Sequence, residues 1–208
     1  CYFLAMSFTI GSLFSGIGGL ELGLELAGVG HTIWQVECDP FCRQVLAKHW
    51  PKAERFDDVR NVGKHNLKYV DVICGGFPCQ DISFAGKGAG LAGERSGLWS
   101  EYLRIASEIR PQFVVVENVA ALRQRGLSTV LGNLSEIGYD AIWFPLRASD
   151  VGASHRRERL FILAYTTSAR LCSQSDELNN TAETRQPNTV SQPSRIDSQY
   201  DIKKCNPQ

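Results

Sequence analysis

The chain of 208 residues is long enough for one domain with a well-buried core, and its 43% hydrophobic and 21% charged content is that of an ordinary soluble protein. Its 22 basic and 22 acidic residues cancel, which weighs against a chain that grips a nucleic-acid backbone unaided. No apolar run approaches the roughly 20 residues of a bilayer span, and Cys1–Ala5 are too few for a signal peptide and lack its basic start.

The single methionine, Met6, reads as a natural start, with Cys1–Ala5 upstream of it. Seven cysteines without paired framework spacing predict reduced thiols and a cytoplasmic setting. Phe8–Phe14 reads as a short strand running into glycines, and Leu20–Ala27 then has helical apolar spacing. His31–Cys38 is a second strand, and Pro40–His49 a helix with proline in its first turn. A weak strand near Arg55–Phe56 leads to Asp57-Asp58-Val59. Val70–Gly75 is a buried strand, and Leu98–Ile109 a helix stopped by Pro111. Phe113–Val116 is short and continuously apolar, as in a parallel sheet covered on both faces. A helix around Leu127–Ile137 follows. Ala141–Leu146 and Leu160–Tyr165 then form an antiparallel closing pair around the loop Arg147–Arg159.

That order predicts a doubly wound, Rossmann-like α/β domain, mostly parallel with an antiparallel closing strand. Ligands in such sheets sit at the carboxyl ends of the strands, where the strand order reverses. The predicted core spans residues 1–167. Residues 168–208 are rich in Ser, Thr, Asn and Gln, hold one aromatic residue, Tyr200, and read as a linker or the start of a further region.

Four motifs fall at those strand ends. Phe14-Ser15-Gly16-Ile17-Gly18-Gly19 joins the first strand to the first helix, where glycine permits a tight turn and the helix N-terminus offers free N–H groups. Glu37 lies 21 residues beyond Gly16, where an acid can bind ribose hydroxyls, so the pair points to an adenosine-containing cofactor. A glycine turn with a surface acid is the plainer reading. Gly75-Gly76-Phe77-Pro78-Cys79-Gln80 follows the buried strand and presents Cys79 as a nucleophile, against the commoner fate of a buried structural thiol. Glu117-Asn118-Val119 ends the strand Phe113–Val116, where a carboxyl serves as a proton donor or as a helix cap. His155-Arg156-Arg157-Glu158-Arg159 concentrates guanidinium groups that hold phosphate, carboxylate or a base carbonyl, or else form a solvated basic turn. Cys38, Cys42 and His49 lack a second ligand pair, so no metal is expected.

Taken together, in this order and spacing, the four motifs resemble those of the DNA (cytosine-5) methyltransferase family, over about residues 8 to 165. The resemblance implies an S-adenosylmethionine-dependent methyltransferase fold with Phe14, Gly16, Ile17, Gly18 and Gly19 lining the cofactor pocket. Glu37 would bind the ribose, Asp58 the adenine amino group and Val59 the adenine face, with Gly76, Pro78 and Leu98 at further cofactor positions. Cys38 stands where some relatives carry a tryptophan against the adenine, and His155 replaces a glutamine common in the double-arginine motif.

The implied chemistry is addition of the Cys79 thiolate to C6 of cytosine while Glu117 hydrogen-bonds or protonates N3, making C5 nucleophilic enough to take a methyl group. Arg157 or Arg159 would hold the base carbonyl. The partner would be duplex DNA with the target cytosine flipped out, at a cost of a few kcal/mol. The glycine-rich loop Phe84–Gly97 resembles the loop that closes over the base, with Ser83, Lys87 and Arg95 able to contact the backbone. The family's target-recognition region is not visible, so a truncated chain, a second subunit supplying recognition and an inactive relic compete. Two other readings stand beside the enzyme: a non-catalytic fragment needing a partner, and a nicotinamide-dependent oxidoreductase. The latter leaves Cys79, Glu117 and the arginines without a role. A bacterial or phage-encoded restriction–modification setting is expected, although a minority of the family methylates transfer RNA.

Overall fold

The computed structural model describes residues 7–78 and 97–166. In chain order these form β1 (Phe8–Leu13), α1 (Gly19–Leu26), β2 (Gly30–Val36), α2 (Pro40–His49) and β3 (Glu54–Phe56), then a 3-10 turn, Val59–Asn61. There follow β4 (Val72–Gly75), α3 (Gly97–Ile109), β5 (Phe113–Val119), α4 (Leu122–Arg125), α5 (Leu127–Glu136) and β6 (Tyr139–Arg147). A second 3-10 turn, Ala148–Val151, precedes β7 (Glu158–Thr166).

Local chemistry explains the boundaries. Asp39 caps α2, accepting from the main-chain N–H groups of Phe41 at 2.7 Å and Cys42 at 3.1 Å, and Pro40 pre-sets the first turn. Lys48 and His49 then sit where the helix dipole favours cations. Helix α3 buries Trp99, Tyr102, Ile105, Ala106 and Ile109 along one stripe, as its sequence period requires. It ends where Arg110 takes a left-handed backbone conformation before Pro111.

The seven strands lie in the order β3-β2-β1-β4-β5-β7-β6. β1 pairs in parallel with β2 and β4, β2 with β3, and β4 with β5; β7 closes the sheet antiparallel to both β5 and β6. The chain moves outward from β1 to β3, then returns to β4 and moves the other way. The reversal point lies between β1 and β4, and the predicted motifs gather at the carboxyl ends on either side of it. Right-handed crossovers place α1 and α2 on one face and α3 and α5 on the other.

The larger core lies on the α3 face, around Leu13, Trp34, Ile73, Tyr102, Val114 and Ile162. All four residues of β4 are buried, as a central parallel strand covered on both faces demands. Gly11 has no side chain because the Trp34 ring fills that space, and Trp34 Nε1 donates to the Lys68 carbonyl at 3.0 Å. The α1 face is thinner, with Ile10, Val72 and Cys74 at its centre. It leaves an apolar groove of about 620 Å³ between α1 and strands β4 to β7, walled by Leu20, Leu24, Phe144, Leu146 and Phe161 among others. No helix among the described residues is long and apolar enough to cross a membrane.

Two expectations need adjusting. β5 continues to Val119 instead of ending at Val116, because Glu117, Asn118 and Val119 pair with Phe161, Leu160 and Arg159 of β7. In α1 the apolar spacing does not mark the buried face. Leu22 and Leu26 are exposed while Glu21 is fully buried.

Candidate active site

The glycine turn leaves β1 through Phe14 at φ 55, Gly16 at φ 54 and Gly18 at φ 89, three left-handed residues within five positions. Glycine adopts that region freely, whereas Phe14 is strained there. Main-chain bonds hold the turn: Ser15 N–H donates to the Val36 carbonyl at 3.2 Å and Gly18 N–H to the Ser15 carbonyl at 2.9 Å. The Phe14 ring stacks on Tyr102 at 6.4 Å between centroids. A Cβ added at Gly16 or Gly19 would meet nothing within 4 Å, and Ile17 is 60% exposed, so the turn presents open main chain and one apolar side chain. Gly18 instead lies against Trp50, with no room for a side chain.

Glu37, one residue past β2, faces this turn. Its Oε2 accepts from Gly16 N–H at 2.7 Å and its Oε1 from Asp39 N–H at 2.9 Å. A carboxylate offers about four lone-pair sites, so both oxygens keep capacity for ribose hydroxyls. Cys38 is exposed and points its Sγ at Glu37 Oε1, 3.6 Å away; partial burial and that carboxylate push its thiol pKa up.

Beyond β3, Asp58 accepts from both the main-chain N–H and Nε of Arg60, at 2.9 and 3.0 Å. Both bonds fall on Oδ1, and the guanidinium hydrogen bond holds this carboxyl below its usual range. Val59 is 5% exposed, its side chain joined to the α3-face core. Arg104 of α3 fastens the turn from behind, donating to the carbonyls of Val59 at 3.2 Å and Val62 at 2.8 Å while pairing with Glu101 and Glu108. Leu98 is half-buried at the start of α3.

On the other side of the reversal point, β4 ends in Gly75 and Gly76. A Cβ at Gly76 would sit 2.7 Å from Glu117 Oε2, so the missing side chain is what lets the Glu117 carboxyl lie against this turn. Glu117 Oε1 pairs with Arg159 Nε of β7 at 2.9 Å, both groups partly shielded at 30% and 24% exposure. Asn118, 3% exposed, donates from Nδ2 to the Phe77 carbonyl at 2.8 Å and accepts from Val119 N–H. Pro78, next in the turn, is exposed. Cys79 and the loop through residue 96 lie outside the described residues, as do Ser83, Lys87, Arg95 and residues 167–208.

The structure thus gathers Phe14, Gly16, Ile17, Gly18, Gly19 and Glu37 on one wall, and Gly76, Glu117 and Arg159 on the other. Arg157 stands apart: it is exposed, strained at φ 23, and makes no ion pair among the described residues. Its neighbour Glu158 pairs with Arg147 at 2.8 Å. Sequence reasoning assigned nothing to Asn118 or Arg104. A polar residue inside the run Phe113–Val119 was the available signal for Asn118, since a buried amide must find partners. Arg104 carried none, because its carbonyl partners lie more than 40 positions away in the chain.

Comparison with known proteins supplies the remaining observation: the family model for C-5 cytosine-specific DNA methylases matches residues 8–206. The chain belongs to that family. Its members take their methyl group from S-adenosylmethionine. Among curated relatives of this methylase chain, the type II methyltransferase M2.BsuMI of Bacillus subtilis is 37% identical over 161 residues, covering 74% of this chain and 41% of the relative. M.CviJI, a type II methyltransferase of Paramecium bursaria Chlorella virus IL3A, is 36% identical, covering 76% and 43%. The methylase chain therefore spans less than half the length of these two relatives. A solved structure of a putative DNA modification methyltransferase encoded within an Escherichia coli prophage superposes with a TM-score of 0.66 at 29% identity, covering 79% of this chain and 48% of that one. Dnmt2 of S. pombe, at 18% identity and a TM-score of 0.64, shares the fold.

Proposed function

We propose that this chain is the cofactor-binding and catalytic part of a DNA (cytosine-5-)-methyltransferase that methylates C5 of a flipped-out cytosine, in a restriction–modification or phage system. The observation that carries the reading is the convergence of Gly76, Glu117 and Arg159 from three separate strands beside the turn that leads to Cys79.

When bound, S-adenosylmethionine supplies the electrophilic methyl group. Phe14, Gly16, Ile17, Gly18 and Gly19 would hold it, with Glu37 on the ribose hydroxyls, Asp58 and Val59 at the adenine, and Gly76, Pro78 and Leu98 lining the remainder. The open main chain at Gly16 and the spare lone pairs of Glu37 fit that group.

The protein's own work is to activate the base. Cys79 adds as thiolate to C6, and the electron pair displaced from the C5–C6 double bond is stabilised as Glu117 hydrogen-bonds or donates a proton at N3. Arg159, already paired with Glu117, orients that carboxyl and stands near the base carbonyl's place. Arg157, exposed at the rim, is assigned to the same base or its phosphates. After methylation a base removes the C5 proton and the Cys79–C6 bond breaks, restoring the thiolate.

Target recognition is assigned to residues outside the matched region, in the same polypeptide or a second subunit. Coverage of under half the relatives' length supports that division. Trapping on duplex DNA containing 5-fluorocytosine tests the mechanism, because fluorine at C5 cannot leave as a proton does. A covalent adduct that needs S-adenosylmethionine and disappears in Cys79→Ser is the expected result. Absence of both an adduct and calorimetric cofactor binding would overturn the assignment. Cofactor binding with an adduct formed only after a companion subunit is added would establish the divided arrangement.

A further inference from the structure

Beneath the glycine turn lies a polar cluster that the mechanism above does not use. Ser12, Ser15, Glu21, Thr32 and Gln35 are all buried, and Glu21 and Gln35 have no exposed surface. A bulge assembles part of it. Ile10 pairs with Thr32 but Gly11 pairs with Trp34, so Ile33 is an extra residue that turns both Thr32 and Gln35 toward α1. Glu21 reaches down from the first turn of α1 and hydrogen-bonds Ser12, Ser15 and Gln35, with Gln35 Nε2 at 3.5 Å. Ser15 Oγ in turn donates to Ser12 Oγ at 2.9 Å. Ser15 sits between Phe14 and Gly16, the two left-handed residues that shape the turn.

We propose that Glu21 is a positioning residue, acting as a neutral acid that holds Ser15 and hence the Phe14–Gly16 main chain in the shape that receives the cofactor. No cation offsets a charge there. The titratable groups that face it are Glu25, one turn along α1 and engaged by Trp50 Nε1 and Thr32 N–H, and the buried Cys74 of β4. Glu21 Oε2 and Gln35 Oε1 are buried acceptors without a donor, and a proton on the carboxyl turns one of the two into a donor. Burial pushes the Glu21 pKa up, outweighing the pull of its hydrogen bonds.

The inference rests on the cofactor reading of the turn, so its test has two arms, both on the full chain. Calorimetry follows S-adenosylmethionine binding from mildly acidic to alkaline pH. Wild-type affinity should hold at the acid end and fall by about tenfold per pH unit once Glu21 ionises. Glu21→Gln, which keeps a donor and cannot ionise, should stay within about threefold of the acid wild-type value throughout. Glu21→Leu should bind weakly at every pH. The second arm needs no ligand. Hydrogen-exchange protection of the Gly16–Gly18 amides, corrected for the intrinsic base-catalysed rate, should decline at alkaline pH in wild type and persist in Glu21→Gln. Flat wild-type profiles, or a glutamine variant as impaired as the leucine one, would overturn the role. A chain that binds no cofactor defeats the proposed function instead, and the exchange arm then decides Glu21 by itself.

Discussion

Around the glycine turn, main-chain groups do the holding: left-handed glycines set the path, and Glu37 is bound through two peptide N–H groups. Around Glu117, side chains do it: Arg159 fixes the carboxyl, Asn118 ties β5 to the Phe77 carbonyl, and an absent side chain at Gly76 leaves the space. A wall made of main chain can accept different side chains and still bind the same ligand groups. A wall made of side chains places one acid against one turn, and each member is separately breakable. Substitutions on the two walls should therefore separate into losses of cofactor affinity and losses of turnover.

The largest effect is expected from Glu117→Gln. Loss of a positioned proton donor should lower kcat by about 10²–10⁴-fold, with the KM for S-adenosylmethionine nearly unchanged in steady-state assays; a rise confined to KM would erase the contrast between the walls. Asn118→Ala comes next. It leaves the buried Phe77 carbonyl without its donor, which should cost about 1–3 kcal/mol, read as a lower urea midpoint. Wild-type stability would mean that this carbonyl finds another partner.

Gly16→Ala probes the opposite wall. Nothing crowds the new methyl group, so the cost comes from the left-handed backbone alone, about 1–2 kcal/mol. It should raise the cofactor KM while leaving adduct formation at saturating cofactor intact. The smallest effect belongs to Asp58. Its pKa is lowered in the fold, so its contribution is present above the unfolded value of about 3.9 and fades as pH falls through the folded one. Asp58→Asn should flatten the acid limb of a stability–pH curve only slightly, because the pair with Arg60 is largely solvent-exposed and screened. A large flattening would show that this turn is held by charge instead of by Arg104 from behind.

Much of the framework follows from short stretches of sequence. The β-rich runs, the Asp39-Pro40 helix start, the stop at Pro111 and the glycine turn each depend on the conformational preferences of a few adjacent residues, and all appear where the sequence places them. The pairing of Glu37 with Gly16 was also within reach, because a strand–helix–strand unit of that length returns the chain to the same edge.

What only the tertiary structure decided are the meetings between residues far apart in the chain. Continuously apolar strands buried on both faces carry no period that specifies their register, so nothing in Phe113–Val119 alone announces its pairing with Arg159 through Phe161. The same holds for Arg104, which reaches carbonyls from another crossover, and for Glu21, an acid that reads as a helix-start charge yet lies fully buried under an extra residue in β2. Local preference selects the elements; the order and register in which they assemble determine which side chains face each other and which acids lose their water.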